Sequence, residues 1–257
     1  MEKSKIGWLN GGNTFNPWIG CSPVSEACRN CYAKREAARF KMTPCFNTYR
    51  KVTSVSYWRR PLAWNRASDP EAPTLVFCGS LCDVFEARAD LEAPRRMLGM
   101  LIEQTPRLLW LLLTKRPENA ESMRREMWGL YIDWPENVWL GCTAENQEMW
   151  DRRIPDLLSV PAAGHFVSCE PLLGHIDISD FRKHAPPLDW VIAGGESGPG
   201  ARETTHFWFE NLCDSCRLWR IPFFFKQYGA AYSARLKAAG DSFSGVKQFP
   251  AAFGIGR

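Results

Sequence analysis

Cys21, Cys28 and Cys31 stand within eleven residues of one another, in the run Cys21-Ser22-Pro23-Val24-Ser25-Glu26-Ala27-Cys28-Arg29-Asn30-Cys31-Tyr32. Thiolates at this spacing are metal ligands by type. Three of them are one short of the four that close a structural zinc or a fully protein-ligated iron-sulfur cluster, so a cubane held here keeps one iron open to another ligand. Two other readings stand beside the cluster. Cys28-x-x-Cys31 is also half of a zinc knuckle that Cys21 and Cys45 would complete, and free cysteines are often no more than buried apolar side chains. A disulfide framework fits poorly, because ten cysteines in 257 residues is a long and core-rich chain for a disulfide-stapled module.

Such a loop needs a scaffold. Short apolar runs recur at Thr14 to Ile19, Leu75 to Cys78, Leu108 to Leu113, Val138 to Gly141, His165 to Ser168, Trp190 to Ala193 and Pro222 to Phe225. Between them lie amphipathic or loop-rich stretches long enough for crossover helices, so the runs are expected to be buried parallel strands of an open or closed (β/α) barrel. Polar residues follow every run. In order they are the three-cysteine loop; Ser80 and Asp83; Thr114, Lys115 and Arg116; Thr143, Glu145 and Asn146; Glu170; Gly194, Gly195, Glu196 and Ser197; then Lys226 and Gln227. Parallel barrels carry their chemistry on the loops at the C-terminal ends of the strands, so these clusters are expected around one mouth.

Gly194-Gly195-Glu196-Ser197-Gly198-Pro199-Gly200 has four glycines in seven residues and lets backbone amides approach a polar or anionic ligand. It matches neither GxGxxG nor a Walker loop, which disfavours a Rossmann or P-loop nucleotide site. Lys115 and Arg116 put two cations at a strand end, suited to a carboxylate or phosphate. Cys213-x-x-Cys216 falls inside an expected helix from Phe207 to Trp219, where core packing is the first reading and metal ligation the second. His165, His175, His184 and His206 form no HExxH or HxH pair, so a histidine metallohydrolase is poorly supported. Trp58-Arg59-Arg60 with Trp64 and Arg66 interleaves rings and cations, as a stacking surface for exposed bases would.

A chain of 257 residues, 45% hydrophobic, can bury a full core. There is no signal-peptide or transit-peptide pattern, and the longest strongly apolar stretch, Leu108 to Leu113, is strand-sized; a soluble, cytoplasmic protein with no membrane partner is expected. Unpaired thiols persist in a reducing cytosol, where metal ligation suits them better than disulfides do. The net charge of +4 gives only weak support for a polyanionic partner.

Several runs together resemble the phage three-cysteine-motif family, catalogued under phage gene products thirty-seven and sixty-eight. They include Phe15-Asn16-Pro17-Trp18-Ile19-Gly20-Cys21, Cys28-Arg29-Asn30-Cys31-Tyr32-Ala33, Leu113-Thr114-Lys115-Arg116-Pro117, Cys169-Glu170-Pro171-Leu172-Leu173-Gly174, Gly194 to Arg202, and Phe223-Phe224-Phe225-Lys226-Gln227. The likeness runs in order over roughly residues 7 to 229. That family in turn looks like a relative of the radical S-adenosylmethionine enzymes, partial barrels in which three cysteines after the first strand hold a 4Fe-4S cluster. There S-adenosylmethionine chelates the open iron and is cleaved by an electron from the cluster. The resemblance implies Cys21, Cys28 and Cys31 as cluster ligands, with Thr143 and Glu145 where the cofactor's ribose usually sits.

The expectation is therefore a radical-SAM-like partial (β/α) barrel of about six to seven parallel strands over residues 1–229, followed by a C-terminal tail over 230–257. The expected activity is S-adenosylmethionine-dependent radical chemistry on DNA, RNA or a nucleotide, with an electron donor such as a flavodoxin or ferredoxin. Lys115, Arg116, Glu170 and Lys226 are the expected catalytic residues. Ser80, Asp83, Thr143, Glu145, Asn146, Gly194, Gly195, Glu196 and Ser197 are the expected cofactor contacts. The alternative is a non-catalytic nucleic-acid-binding protein stapled by iron-sulfur or zinc.

Overall fold

The computed structural model describes residues 4–69, 71–179, 188–232 and 245–255. Nine strands occur among them: β1 (Asn13–Phe15), β2 (Trp18–Ile19), β3 (Lys51–Val52), β4 (Thr74–Cys78), β5 (Leu108–Thr114), β6 (Val138–Thr143), β7 (Gly164–Cys169), β8 (Trp190–Gly194) and β9 (Phe223–Gln227). The helices are α1 (Tyr32–Arg39), α2 (Val55–Trp58), α3 (Arg60–Ala67), α4 (Glu92–Glu103), α5 (Ala120–Trp128), α6 (Gln147–Ser159) and α7 (His206–Trp219). Seven strands form one sheet in the order β1-β4-β5-β6-β7-β8-β9, each pair parallel, and the sheet curls into a half-barrel with helices around it. The expected partial barrel is what the chain forms.

Buried on both faces, the strands divide their side chains between two cores with a period of two. Val76, Trp110, Leu112, Leu140, Val167, Val191, Phe223 and Phe225 join Leu98, Ile102, Leu157, Phe209 and Leu212 of the helices in the outer core. Their neighbours Leu75, Phe77, Leu109, Leu111, Trp139, Phe166, Trp190, Ile192 and Phe224 fill the concave side together with Trp8, Leu9 and Phe253. On that concave side β6 and β7 alternate large against absent side chains. Trp139 stands opposite Gly164 and Phe166 opposite Gly141, and a Cβ on either glycine would collide with the facing ring.

The first expected strand is two. Asn13–Phe15 belongs to the main sheet, while Trp18–Ile19 pairs antiparallel with β3. Asn16 and Pro17 make the break: proline has no amide to donate, and the Asn16 side chain instead bonds the Ser80 hydroxyl (2.9 Å) and the Leu81 amide (2.7 Å). Within the expected tail, the chain returns to the barrel at Val246. The Phe225 amide donates to the Val246 carbonyl (2.8 Å), and Phe249 and Phe253 pack into the concave core. His184 lies outside the described residues. Among those described, no helix is long and apolar enough to cross a membrane.

Candidate functional site

The loop from Gly20 to Cys31 crosses the C-terminal ends of the strands, and charged side chains from those ends fasten it at several points. Ser22, next to Cys21, is held on three atoms. Its amide donates to Glu86 Oε1 (2.9 Å), its hydroxyl accepts from Arg50 Nη2 (2.7 Å), and its carbonyl accepts from Arg116 Nη2 (2.7 Å). Arg116 is itself fixed by Asp83 (2.8 Å), which also accepts from the Thr114 hydroxyl and the Lys115 amide. In mid-loop the Ala27 amide donates to Glu145 Oε1 (3.3 Å), whose other oxygen pairs with Arg153 (2.9 Å). Near the third cysteine, Asn30 Nδ2 donates to Glu196 Oε2 (2.9 Å), and Arg202 grips both oxygens of that carboxylate.

Cys31 is the residue before α1, so its side chain sits where the helix's free amides and dipole favour negative charge. The first turn of α1 is then tied down by the Tyr32 hydroxyl on the Ser80 carbonyl (2.6 Å) and Arg35 on the Ser197 carbonyl (2.7 Å). At the other end of the loop Gly20 has φ +107°, and a side chain there would collide with the Cys45 carbonyl.

All ten cysteines are free thiols; Cys21, Cys28 and Cys31 are partly exposed and the other seven are buried. The three exposed ones line a single cavity of about 470 Å³ at the mouth of the half-barrel. Its floor is the concave side of the sheet, where Lys226 pairs with Glu170 (2.7 Å) and Trp8 Nε1 donates to the same carboxylate (3.2 Å). Lys115 enters from the end of β5, and no partner of its ammonium occurs among the described residues. Ser80, Asp83, Arg116, Thr143, Gly195, Glu196 and Ser197 also belong to the lining, as do Ser22, Asn30, Ser168 and Gln227.

Burial pushes the Cys21 thiol up to about 12, with the Asp83 and Cys31 charges acting in the same direction. That value belongs to the protein alone; a bound cation reverses such a shift. Glu196 is held at about 2: burial opposes its charge, but hydrogen bonds from Arg202 and Asn30 outweigh it. Among the described residues no three His, Cys, Asp or Glu side chains gather closely enough to hold one metal ion. A cubane offers each thiolate a different iron, so its ligands stand wider apart than those of a single ion.

Most of the sequence-predicted residues come together here, in two roles. Lys115, Glu170 and Lys226 face the cavity, and Asp83, Arg116 and Glu196 line it while also holding the cysteine loop. Glu145 turns beneath the loop to Arg153, Asn146 caps α6 by accepting from the Met149 amide (3.0 Å), and Gly194 lies under Glu170; none of these three lines the cavity. The close approach that Gly195 permits is to the Tyr228 carbonyl, and the Gly195 amide donates to Gln227.

Some expectations change. Trp58 and Trp64 are buried in the outer core, Trp58 edge-on to Phe15, so they present no stacking surface. Both rings face the core because α2 packs through Tyr57 and Trp58 on Phe15 of β1 and α3 lies against β5. Cys45 is buried among Ala33, Ala37 and Phe46 and does not line the cavity, whereas Cys82, a thiol not singled out by spacing, does. Cys213 and Cys216 lie in the outer core on α7. Of the described histidines, His165 bonds the Val160 carbonyl, His175 meets Asn211, and His206 meets Tyr228. The anchors Arg50, Glu86, Arg153 and Arg202 were missed: Arg50 and Glu86 are 36 residues apart, and Arg153 and Arg202 fix the nearby Glu145 and Glu196, whose own contacts with the loop lie 118 and 166 residues away.

No curated protein and no solved structure matches the chain. Residues 3–250 match the family described as protein of unknown function (DUF5131), which spans the loop, the sheet and every residue of the cavity. The chain belongs to that family.

Proposed function

We propose that Cys21, Cys28 and Cys31 hold a 4Fe-4S cluster with S-adenosylmethionine on its open iron, and that the protein is an enzyme acting on a nucleic acid or nucleotide by radical chemistry. One observation carries this: of ten cysteines, the three from the eleven-residue run are the ones exposed, and all three open into the same cavity. The donor set fits the group. Soft thiolates suit iron-sulfur clusters, three leave one iron open, and the amides at the start of α1 favour the cluster's negative charge.

When bound, the cluster supplies the electron that cleaves S-adenosylmethionine, drawn from a donor such as a flavodoxin or ferredoxin. The chain's own residues bind and orient. Lys115 is a free cation for the cofactor's carboxylate, and the Glu170–Lys226 pair offers an acceptor for its amino group and a cation for the substrate. Trp8 holds the second Glu170 oxygen and walls the cavity floor against water.

The other class of function is a nucleic-acid-binding protein in which iron-sulfur or zinc is only a staple. Metal staples matter most where little else orders the ligands. Here Ser22, Ala27, Asn30 and Tyr32 are each anchored by protein groups, which supports a reactive site over a staple.

Anaerobic purification with metal and sulfide analysis tests the proposal. Expected are about four irons and four sulfides per chain, a broad absorbance near ~400 nm that dithionite bleaches, and 5'-deoxyadenosine on addition of S-adenosylmethionine. Stoichiometric zinc with no iron uptake on reconstitution overturns it; a cluster with no S-adenosylmethionine binding leaves the staple.

A further inference from the structure

The positive charge of this chain is concentrated in one excursion. Residues 29–67 hold ten Lys and Arg against the single carboxylate Glu36, a net of +9; the whole chain carries +4, so the remainder carries −5. Arg50 is buried on Glu86 and Arg35 is bonded to Ser197, but the other eight cations are exposed. Their one acidic neighbour, Glu36, pairs with Arg39 (2.8 Å) on the surface, where such a pair is weak.

Exposed rings lie among these cations. Phe40 is 69% exposed, Tyr49 48% and Tyr32 44%. The excursion's first part is one packed unit, because Ala33 and Ala37 of α1 share a small apolar cluster with Cys45 and Phe46, just ahead of β3, while α2 and α3 pack on the outer core through Trp58 and Trp64. It is also the lip of the cavity, which Cys31, Tyr32, Arg35 and Glu36 line.

We propose that this excursion is the docking surface for a single-stranded nucleic acid, which runs over α1 and presents a base to the cavity. Eight exposed cations exceed what one nucleotide can neutralise, so the charge fits a polymer backbone. Exposed rings stack on unpaired bases of any sequence, whereas a duplex hides its base faces. The surface sits around Phe40 and Tyr49, not at the buried Trp58 and Trp64. That the strand is a substrate rests on the function proposed above; its docking requires no cluster.

The test is fluorescence anisotropy with a labelled mixed-sequence DNA of about 20 nucleotides, using the full chain with and without reconstituted cluster. K34E/R39E/K41E is compared with R96E/R125E/R217E, which removes the same charge from exposed arginines on α4, α5 and α7. The lip variant should bind at least about tenfold more weakly at ~0.1 M salt, with a log K against log salt slope shallower by about 2. The helix variant should stay within about twofold of the unmodified protein, and F40A/Y49A should weaken binding without changing the slope.

Equal losses in the two triple variants overturn the proposal. So does a duplex that binds as tightly as the single strand, binding to phosphatidylserine vesicles in place of DNA, or no binding at low salt. Strand binding without deoxyadenosine formation removes the enzyme and leaves the surface; deoxyadenosine formation without strand binding removes the surface alone.

Discussion

Glu145, just past the end of β6, lies between Arg153 of α6 and the Ala27 amide of the cysteine loop, with hydrogen bonds of 2.9 Å and 3.3 Å. It thereby joins the barrel wall to the middle of the loop. Both partners of the ion pair are enclosed, at 0% and 5% side-chain exposure. Removing one member of a buried pair leaves the other charge without compensation, at about 3–5 kcal/mol. E145A should therefore lower stability by about that amount in urea unfolding, and the double variant E145A/R153M should recover part of the loss. If E145A costs no more than a surface substitution, the anchor is not formed.

Glu196 gives the loop a pH dependence. Its carboxyl sits at about 2, against an unfolded value near 4.3, because Arg202 and Asn30 favour the charged form over the cost of burial. A depressed folded pKa adds stability above the unfolded value and loses it as pH falls through the folded one. The Glu196 contribution should thus be whole above about pH 5 and fade between about 4 and 2. Urea midpoints measured across that range should fall less steeply in E196Q than in the unmodified protein. Parallel curves for the two would assign the acid sensitivity to other carboxylates.

The strands were legible because parallel strands buried on both faces are almost continuously apolar, as in Leu108 to Leu113 and Trp190 to Ala193. The polar mouth was legible for the same reason, since each strand's end is where the apolar run stops. The loop's fastenings were not. Asn30 and Glu196 are 166 residues apart, and Ala27 and Glu145 are 118 apart, so no local pattern marks either pair. Nor could interleaved rings and cations at Trp58 to Arg66 say which would turn inward. On the two short helices α2 and α3, the indoles take the core side and the arginines the solvent side.

Trp58 accordingly contributes to stability and not to recognition. It is buried against Phe15 in an edge-to-face arrangement, with centroids 5.3 Å apart. Truncating a buried aromatic costs about 3–5 kcal/mol. W58A should unfold at lower urea by that amount and, while folded, bind an oligonucleotide as the unmodified protein does. A selective loss of binding without loss of stability would return Trp58 to the surface.

The paired glycines of the concave face set a limit on substitution. Gly164 lies under the Trp139 indole, and the added Cβ of G164A cannot be placed without moving the ring. Overpacking of this kind costs about 1–3 kcal/mol. G164A/W139L should be less than additive relative to the two single variants, because the smaller side chain makes room for the methyl. Strict additivity in chemical unfolding would mean that the ring and the glycine do not touch.

Cysteine replacement separates ligands from neighbours. On the proposed cluster, C21A, C28A and C31A should each lose iron, since each removes a thiol facing the cavity. C213A and C216A should keep iron and lose only the packing of the outer core, at roughly 1 kcal/mol. C45A should behave likewise, because Cys45 points into the small apolar cluster beneath α1. Cys82 is the sharpest case. It lines the same cavity, yet its side chain is buried in a small apolar cluster with Trp18 and Leu91, whereas Cys21, Cys28 and Cys31 are partly exposed. C82A should therefore retain four irons per chain, counted by iron and sulfide analysis of anaerobically reconstituted protein. Iron lost from C82A but kept by C21A would put Cys82, and not Cys21, in the ligand set.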